Sequence, residues 1–245
     1  MYSLVISIVS HGQGQLVKDL LEDLCILHSS DLWDITLILT LNIPEDESFL
    51  HGYEDRVRIV RNLRPLGFGA NHNQAFLMVP SDYFLIMNPD IRFSENFLTN
   101  ILSCPLPDWG CMGPIIRSPA GGIDDSARRY PTIFRMVHRV LLNKRNLDYE
   151  KELNSADVSY IKVDWLAGMF LLFKSDVFKM VKGFDSSYFM YLEDAAVCKE
   201  VNMRGYSVLL NKRFSVIHDA RRKSLKNFSH FRWHVRSIIR FIFGI

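Results

Sequence analysis

The chain has few cysteines. Cys25, Cys104, Cys111 and Cys198 are all there are in 245 residues, and their spacing is neither paired nor metal-like. That argues against a disulfide framework or a cysteine-held zinc site and implies a reducing compartment. Long apolar runs are also missing. The longest, Trp165 to Phe173, falls well short of the roughly 20 residues a membrane-spanning helix needs. The opening MYSLVISIVS has no basic n-region and runs straight into a strand pattern, which argues against a secretory signal. No linker-like or low-complexity tract interrupts the chain. At 245 residues and 48% hydrophobic content it can fill one large α/β core, so a single folding unit is expected.

Net charge is small, only +2, but unevenly placed. From Lys212 onward there are nine Lys/Arg and one acid, whereas the preceding 211 residues hold 20 basic and 26 acidic ones. Basic character confined to one end fits contact with phosphates or an anionic surface. In that tail Phe228, Phe231, Val235, Ile238, Ile239 and Ile242 recur at helical spacing beside an i, i+4 row of Arg232, Arg236 and Arg240. Such a cationic amphipathic helix suits the cytoplasmic membrane face. A C-terminal helix packed on the core with a solvated arginine face would show the same pattern. Residues 1–220 are therefore taken as the main domain and 221–245 as a basic segment, part of that domain or associated with the membrane.

The order along the chain reads strand, helix, strand, strand, helix, strand. The strands are Tyr2 to Ser10, Ile35 to Leu41, Val57 to Val60 and Tyr83 to Met87. The first helix is Leu16 to Leu27, and the second follows a glycine-bearing turn within Arg61 to Phe76. Alternation of this kind predicts a mostly parallel sheet wrapped by helices. Past Asp90 the pattern loosens, and Pro105 to Gly122 and Asn143 to Ser159 read as loops.

Two acidic motifs stand out. Asn88-Pro89-Asp90 ends the apolar run Tyr83 to Met87, which places Asp90 at the C-terminal edge of a buried strand. Ligands bind at that edge in open α/β sheets, and a carboxylate there suits a hard divalent cation holding a diphosphate. Glu193-Asp194 opens an amphipathic helix in which Val197 and Val201 repeat and Gly205 marks the end. The macrodipole would keep Asp194 ionised there, available as a general base.

Taken in order, SIVSHG (Ser7 to Gly12), LGFGANHNQA (Leu66 to Ala75), NPD, SARRYP (Ser126 to Pro131), VDWLAGMFLLF (Val163 to Phe173), GFDSSYFMYLED (Gly183 to Asp194) and FRWHVRSIIRF (Phe231 to Phe241) resemble glycosyltransferase family 2. That family has the GT-A nucleotide-sugar-binding fold. Within it, the chain is similar to bacterial rhamnosyltransferases that extend lipid-linked O-antigen or cell-wall precursors. The resemblance covers nearly the whole chain. It implies inverting transfer from dTDP-β-L-rhamnose to a sugar on a polyprenyl diphosphate, at the inner face of the cell membrane, by a cytoplasmic and peripherally associated enzyme.

Carried over residue by residue, the resemblance makes Asp194 the base, while Glu193 orients the acceptor or its neighbour. Asp90 would ligate Mg²⁺ or Mn²⁺, with Asn88 where many relatives have another Asp. His218, closing the strand-like FSVIH, would be a further ligand or a diphosphate contact. Arg221, Arg222 and Lys223 would clamp phosphate, or form a solvated basic loop. Ser10 and His11 are placed to meet the nucleotide. Gly67, Gly69, Asn71 and Asn73 would form a turn whose amides approach the sugar-diphosphate. Asn42 stands where many relatives have an acid for the base or ribose, and can hydrogen-bond an imide edge. Ala196 likewise replaces a common Asp. Arg128 and Arg129 would bind acceptor or donor phosphates, or salt-bridge within a loop. Trp165 and Gly168 would offer an apolar platform and clearance for the acceptor sugar, with ordinary core packing the competing reading of Trp165.

Other readings compete. The donor could be a UDP-hexose or another dTDP-deoxysugar, and a non-catalytic nucleotide-sugar-binding subunit would keep the fold without the transfer. Nucleic acid is not an expected partner, because the basic tail lacks stacking motifs and a recognition-helix pattern.

Overall fold

The computed structural model describes residues 1–25, 27, 32–93, 97–102, 104–132, 135, 148–219 and 228–244. Strand β1 (Tyr2–Ser10) alternates cleanly: Leu4, Ile6 and Ile8 join one hydrophobic cluster and Val5 joins the other. A strand whose side chains alternate in this way, apolar on both faces, must be covered on both. Helix α1 (Gly14–Leu24) covers one face with Leu16, Val17, Leu20, Leu21 and Leu24, all buried at i, i+3/i+4 spacing. Each such side chain contributes about 1.5–3 kcal/mol of burial. Helix α2 (Phe68–Phe76) lies over the other face.

Strands β2 (Trp33–Leu41), β3 (Val57–Arg61) and β4 (Tyr83–Met87) pair in parallel with β1 or with each other. The sheet continues through β5 (Ile91–Arg92), β6 (Trp109–Arg117), β8 (Tyr160–Lys162), β10 (Phe170–Lys174) and β11 (Ser207–His218) in the order β3-β2-β1-β4-β10-β6-β11-β5, with β8 also on β11. Strands β5, β8 and β10 run opposite to the other six. The expected mostly parallel, helix-flanked sheet is what forms. Strand order reverses between β1 and β4, which opens a crevice at their C-terminal ends. Ser10 and Asn88 mark its two sides.

Pro105 to Gly122, expected as loop, is corrected: β6 is a buried nine-residue strand within the sheet. Its Gly110, Gly113 and Pro114 hid it. A Cβ on Gly110 would sit 2.8 Å from Val177 and 2.9 Å from Val201, and one on Gly113 3.1 Å from Leu166 and from the Phe170 carbonyl. These glycines answer close packing rather than a turn. Pro114 falls where the β11 register jumps from Asn211 to Ser215, the irregularity a strand proline needs. Within Asn143 to Ser159, the segment Glu150–Asn154 forms a short helix, and 143–147 lie outside the described residues.

Further α-helices among the described residues are α3 (Leu98–Leu102), α4 (the Glu150–Asn154 turn), α5 (Ser175–Met180), α6 (Glu193–Met203) and α7 (Phe228–Phe243). A two-stranded ribbon, β7 (Ala127–Arg128) with β9 (Trp165–Leu166), stands beside α6. Helix α7 packs one face inward: Ser237 is buried and donates its hydroxyl to the Met190 carbonyl at 2.9 Å, and Ile238 and Phe241 reach the core cluster. Its opposite face leaves Val235, Ile239 and Phe243 38–62% exposed, beside exposed Arg232 and Arg236. The packed reading thus holds for one side of the helix, and the other side is apolar and cationic together.

Candidate active site

The two acidic motifs meet through one short segment. Leaving β9, the chain passes Ala167, Gly168 and Met169 before entering β10. The Gly168 N–H donates to Asp194 Oδ2 at 2.9 Å, and the Met169 carbonyl accepts the Asn88 N–H at 2.9 Å. The turn after β4 and the start of α6 are therefore held by adjacent residues.

Asp194 is in the first turn of α6 and half-buried. The Ala195 N–H donates to its Oδ1 at 2.8 Å. Burial raises its pKa, opposed by the amides of Ala195 and Gly168 and then by the charge of Arg128. The sequence reading stressed the macrodipole, but here desolvation outweighs it, which makes the carboxylate more basic. Glu193 is buried, its Oε2 is without a hydrogen-bond partner, and burial followed by the charge of Asp194 pushes its pKa up to about 8. Glu193 is thus the member of the pair held neutral at pH 7, while the amide donors are on Asp194. Tyr191 and Leu192, immediately before Glu193, both have positive φ (74° and 63°). Two successive non-glycine residues in this region store backbone strain beside the carboxylates.

Asp90 faces His218. Pairing of β5 with β11 sets His218 against Ile91 and brings its Nε2 to 3.2 Å from Asp90 Oδ2. Asp124 Oδ2 lies 3.7 Å from His218 Nδ1. Burial works against a charged imidazole, but Asp90 and then Asp124 outweigh it and its pKa is raised. Asp90 Oδ1 and His218 Nδ1 are buried without hydrogen-bond partners. Orphaned lone pairs on a carboxylate and an imidazole, with a second carboxylate close by, fit a divalent cation. Among the described residues no three His, Cys, Asp or Glu side chains close around one point, so protein ligands would have to be completed by donor or water oxygens. Asn88 is half-buried beside this group.

On the β1 side, Ser10 is buried, and its hydroxyl donates to Glu45 Oε2 at 2.9 Å and accepts the Gln13 N–H at 3.1 Å. Glu45 also accepts the Gly12 N–H at 3.3 Å. This carboxylate was missed, because it sits three residues past Asn42, beyond the end of β2, where only the fold returns it to β1. His11 is exposed, 3.3 Å from Asn42 Nδ2.

Asn42 is otherwise committed: it accepts from Asn62 and the Leu66 N–H and donates to the Leu66 carbonyl. It organises the loop before α2 rather than offering a free edge to a base. The glycine turn is corrected in the same way. Gly67 caps α2, and Gly69, Asn71 and Asn73 lie within it. A Cβ on Gly67 would meet the Phe189 carbonyl at 2.5 Å, and one on Gly69 would meet Phe184 at 2.4 Å. Asn71 is buried and bonded to Asn62 and the Gly67 carbonyl, and Asn73 bonds both the N–H and the carbonyl of Phe184. Gly67, Gly69 and Asn73 seat the 183–192 segment that leads into Glu193 and Asp194, and Asn71 ties the start of α2 to Asn62.

Trp165 is only 5% exposed, its indole N–H donates to the Arg129 carbonyl, and Arg128 stacks on its ring at 5.1 Å. It is core, not an open platform. Arg128 is also bonded to Asp125, and Arg129 stacks on Tyr149 at 5.2 Å. Arg221, Arg222 and Lys223 lie outside the described residues.

No protein-family model matches the sequence. Curated relatives do. Rhamnosyltransferase WbbL of Escherichia coli is 30% identical over 259 residues, covering 97% of this chain and 91% of the relative. The N-acetylglucosaminyl-diphospho-decaprenol L-rhamnosyltransferase of Mycobacterium tuberculosis is 31% identical over 206 residues, 76% of this chain and 66% of the relative. Among solved structures, the mannosyltransferase PcManGT of Pyrobaculum calidifontis, in complex with GDP-Man and Mn²⁺, aligns over 90% of this chain and 58% of its own with a TM-score of 0.61 at 12% identity. GalNAc-T7 with UDP, GalNAc and Mn²⁺ aligns over 93% of this chain and 45% of its own with a TM-score of 0.69 at 14% identity. The chain spans about half the length of these structures, and the likeness to them is one of fold.

Proposed function

The chain belongs to the bacterial rhamnosyltransferases of the GT-A fold, and on that premise we propose that it transfers L-rhamnose from dTDP-β-L-rhamnose, with inversion, to a sugar hydroxyl on a polyprenyl diphosphate. The observation that carries this reading is the geometry of Asp194. Half-buried beside the buried Glu193, it is aimed by the Gly168 and Ala195 amides, and tied through Met169 to the turn that bears Asp90.

In this reading an Asp194 oxygen takes the acceptor hydroxyl's proton as that oxygen bonds to the anomeric carbon. The bond from that carbon to the diphosphate breaks, and its electron pair leaves with dTDP. Glu193, neutral, adds no second charge to compete for the proton. Asp90 and His218, with Asp124 behind the imidazole, would hold the divalent cation. A cation there supplies charge stabilisation for the departing diphosphate. An imidazole among carboxylates favours Mn²⁺ over Mg²⁺, since nitrogen is the softer donor. Ser10, His11 and Glu45 frame the β1 side of the crevice, where the nucleoside would sit. The mycobacterial relative is named for a lipid-diphosphate acceptor. No helix among the described residues is long and apolar enough to cross a membrane, so the exposed side of α7 is the proposed means of peripheral attachment at the membrane's inner face.

The test is a thermal-shift comparison of dTDP, UDP, GDP and CMP with and without Mn²⁺, followed by transfer from dTDP-rhamnose. Ligand that binds only the folded state raises Tm by mass action. Stabilisation by dTDP with Mn²⁺ and turnover on a lipid-diphosphate acceptor are expected. Selective response to UDP would discard rhamnose and keep the fold's chemistry.

A further inference from the structure

Behind the catalytic pair, the outer face of α6, the Lys182–Tyr188 loop and the C-terminal half of α7 enclose a cleft of about 490 Å³. That is the size of a small-ligand site. Four cations line it, Lys182, Lys199, Arg204 and Arg240, against two acids, Asp185 and Glu200. None of the four has an ion-pair partner among the described residues. Two are braced on aromatic rings instead, Lys199 on Phe241 at 5.3 Å and Arg240 on Tyr188 at 5.8 Å. Arg240 Nε is buried without a hydrogen-bond acceptor, which is costly unless something supplies one. Cations gathered from three separate elements repel one another when the cleft is empty, and all are relieved by the same ligand, an anion. The apolar ridge Val235, Ile239 and Phe243 runs along the outward side of the same helix, so an anion reaching this cleft beside the ridge can carry a hydrocarbon chain.

We propose that the α6–α7 cleft binds the phosphate or diphosphate ester of a membrane lipid. The shared chemistry is a phosphate group attached to an apolar chain. Its source is either the diphosphate of the acceptor or the headgroup of a surrounding anionic lipid. The inference rests on the function proposed above for its relevance to transfer, but the binding can be measured apart from it. Occupancy would join α7 to α6 and so couple lipid contact to the helix that carries Asp194.

Two arms test it on the full chain. In the first, farnesyl diphosphate is titrated calorimetrically with dTDP and Mn²⁺ at saturating concentration, so that the donor diphosphate position is filled. In the second, flotation with phosphatidylglycerol vesicles is compared with phosphatidylcholine vesicles. Each is run on the wild type, on Lys199→Gln/Arg204→Gln, and on Arg56→Gln/Arg58→Gln, which removes the same charge near the distant β3 edge. Expected is a loss of at least tenfold in the cleft variant and less than twofold in the control. A loss confined to farnesyl diphosphate assigns the cleft to the acceptor, and one confined to phosphatidylglycerol assigns it to the headgroup. No difference in either arm, or an equal loss in the control, overturns the proposal. The dTDP-induced Tm shift, read in parallel, reports the donor site independently: its absence in the wild type would count against the function proposed above and not against the cleft.

Discussion

Gly168 donates its backbone N–H to Asp194 Oδ2 at 2.9 Å. The contact aims the carboxylate, and it also explains why position 168 has no side chain. A Cβ there would lie 3.2 Å from two Phe68 ring atoms and 3.5 Å from Asp194 Oδ2 itself.

Gly168→Ala should therefore press on the Phe68 ring, so that either the ring or the Gly168 backbone gives by a few tenths of an ångström and the amide that aims the carboxylate shifts with it. Misplacement of a reacting group by about 1 Å can cost about 10²-fold, so a fall in kcat of roughly 10-fold to 100-fold is expected, with dTDP affinity unchanged. Steady-state kinetics beside a dTDP thermal shift separate the two, and a variant with wild-type kcat would deny Gly168 its aiming role.

Asp194→Asn keeps the shape and removes the base. General-base catalysis contributes about 10²–10⁴-fold, and turnover should drop by at least that range while dTDP still raises Tm. Full turnover in this variant would dismiss Asp194 as the proton acceptor.

Glu193 makes stability depend on pH. Its folded pKa, about 8, lies above the ordinary value of 4.5, so between those values the folded state holds a proton that the unfolded state has released. Stability must then fall as pH rises from about 4.5 to about 8. Glu193→Gln should flatten that slope, so that the Tm difference between pH 5 and pH 9 is several degrees smaller than in the wild type. Parallel Tm–pH curves for the two proteins would contradict the burial argument.

Gly69→Ala separates packing from phosphate binding. Its Cβ would lie 2.4 Å from Phe184 Cβ, and overpacking of this kind costs about 1–3 kcal/mol. Denaturant unfolding should show that loss, while the dTDP response of the folded variant is retained. An undiminished stability with weakened dTDP binding would restore the turn reading.

Asp90→Ala should abolish the Mn²⁺-dependent part of the dTDP-induced Tm shift, and His218→Ala should reduce it. A nucleotide shift that is indifferent to Mn²⁺ in the wild type would remove the metal from the proposal.

Much of this molecule can be read along the chain. The strand pattern of Tyr2 to Ser10, the unbroken apolar run Tyr83 to Met87 and the leucine spacing of α1 are local signals of burial, and burial of that pattern admits one kind of sheet. The ends of those strands, and hence Asp90 at an edge and Asp194 at a helix start, follow from the same signals. Residues whose role depends on a distant partner could not be placed this way. Gly67, Gly69, Asn71 and Asn73 look like a phosphate-binding turn until the 183–192 segment, more than a hundred residues on, is seen filling the space around Gly67, Gly69 and Asn73, and Asn62 and the Gly67 carbonyl are seen holding Asn71. Asn42 looks available until Leu66 and Asn62 use its amide, and Glu45 is unremarkable until the loop after β2 folds back to Ser10. Strand β6 was hidden by glycines that serve contacts with Val177, Val201 and Leu166 rather than turns. Periodicity reports which face of an element is apolar, whereas hydrogen-bond partners and excluded volume are properties of pairs, and pairs far apart in the chain exist only once it has folded.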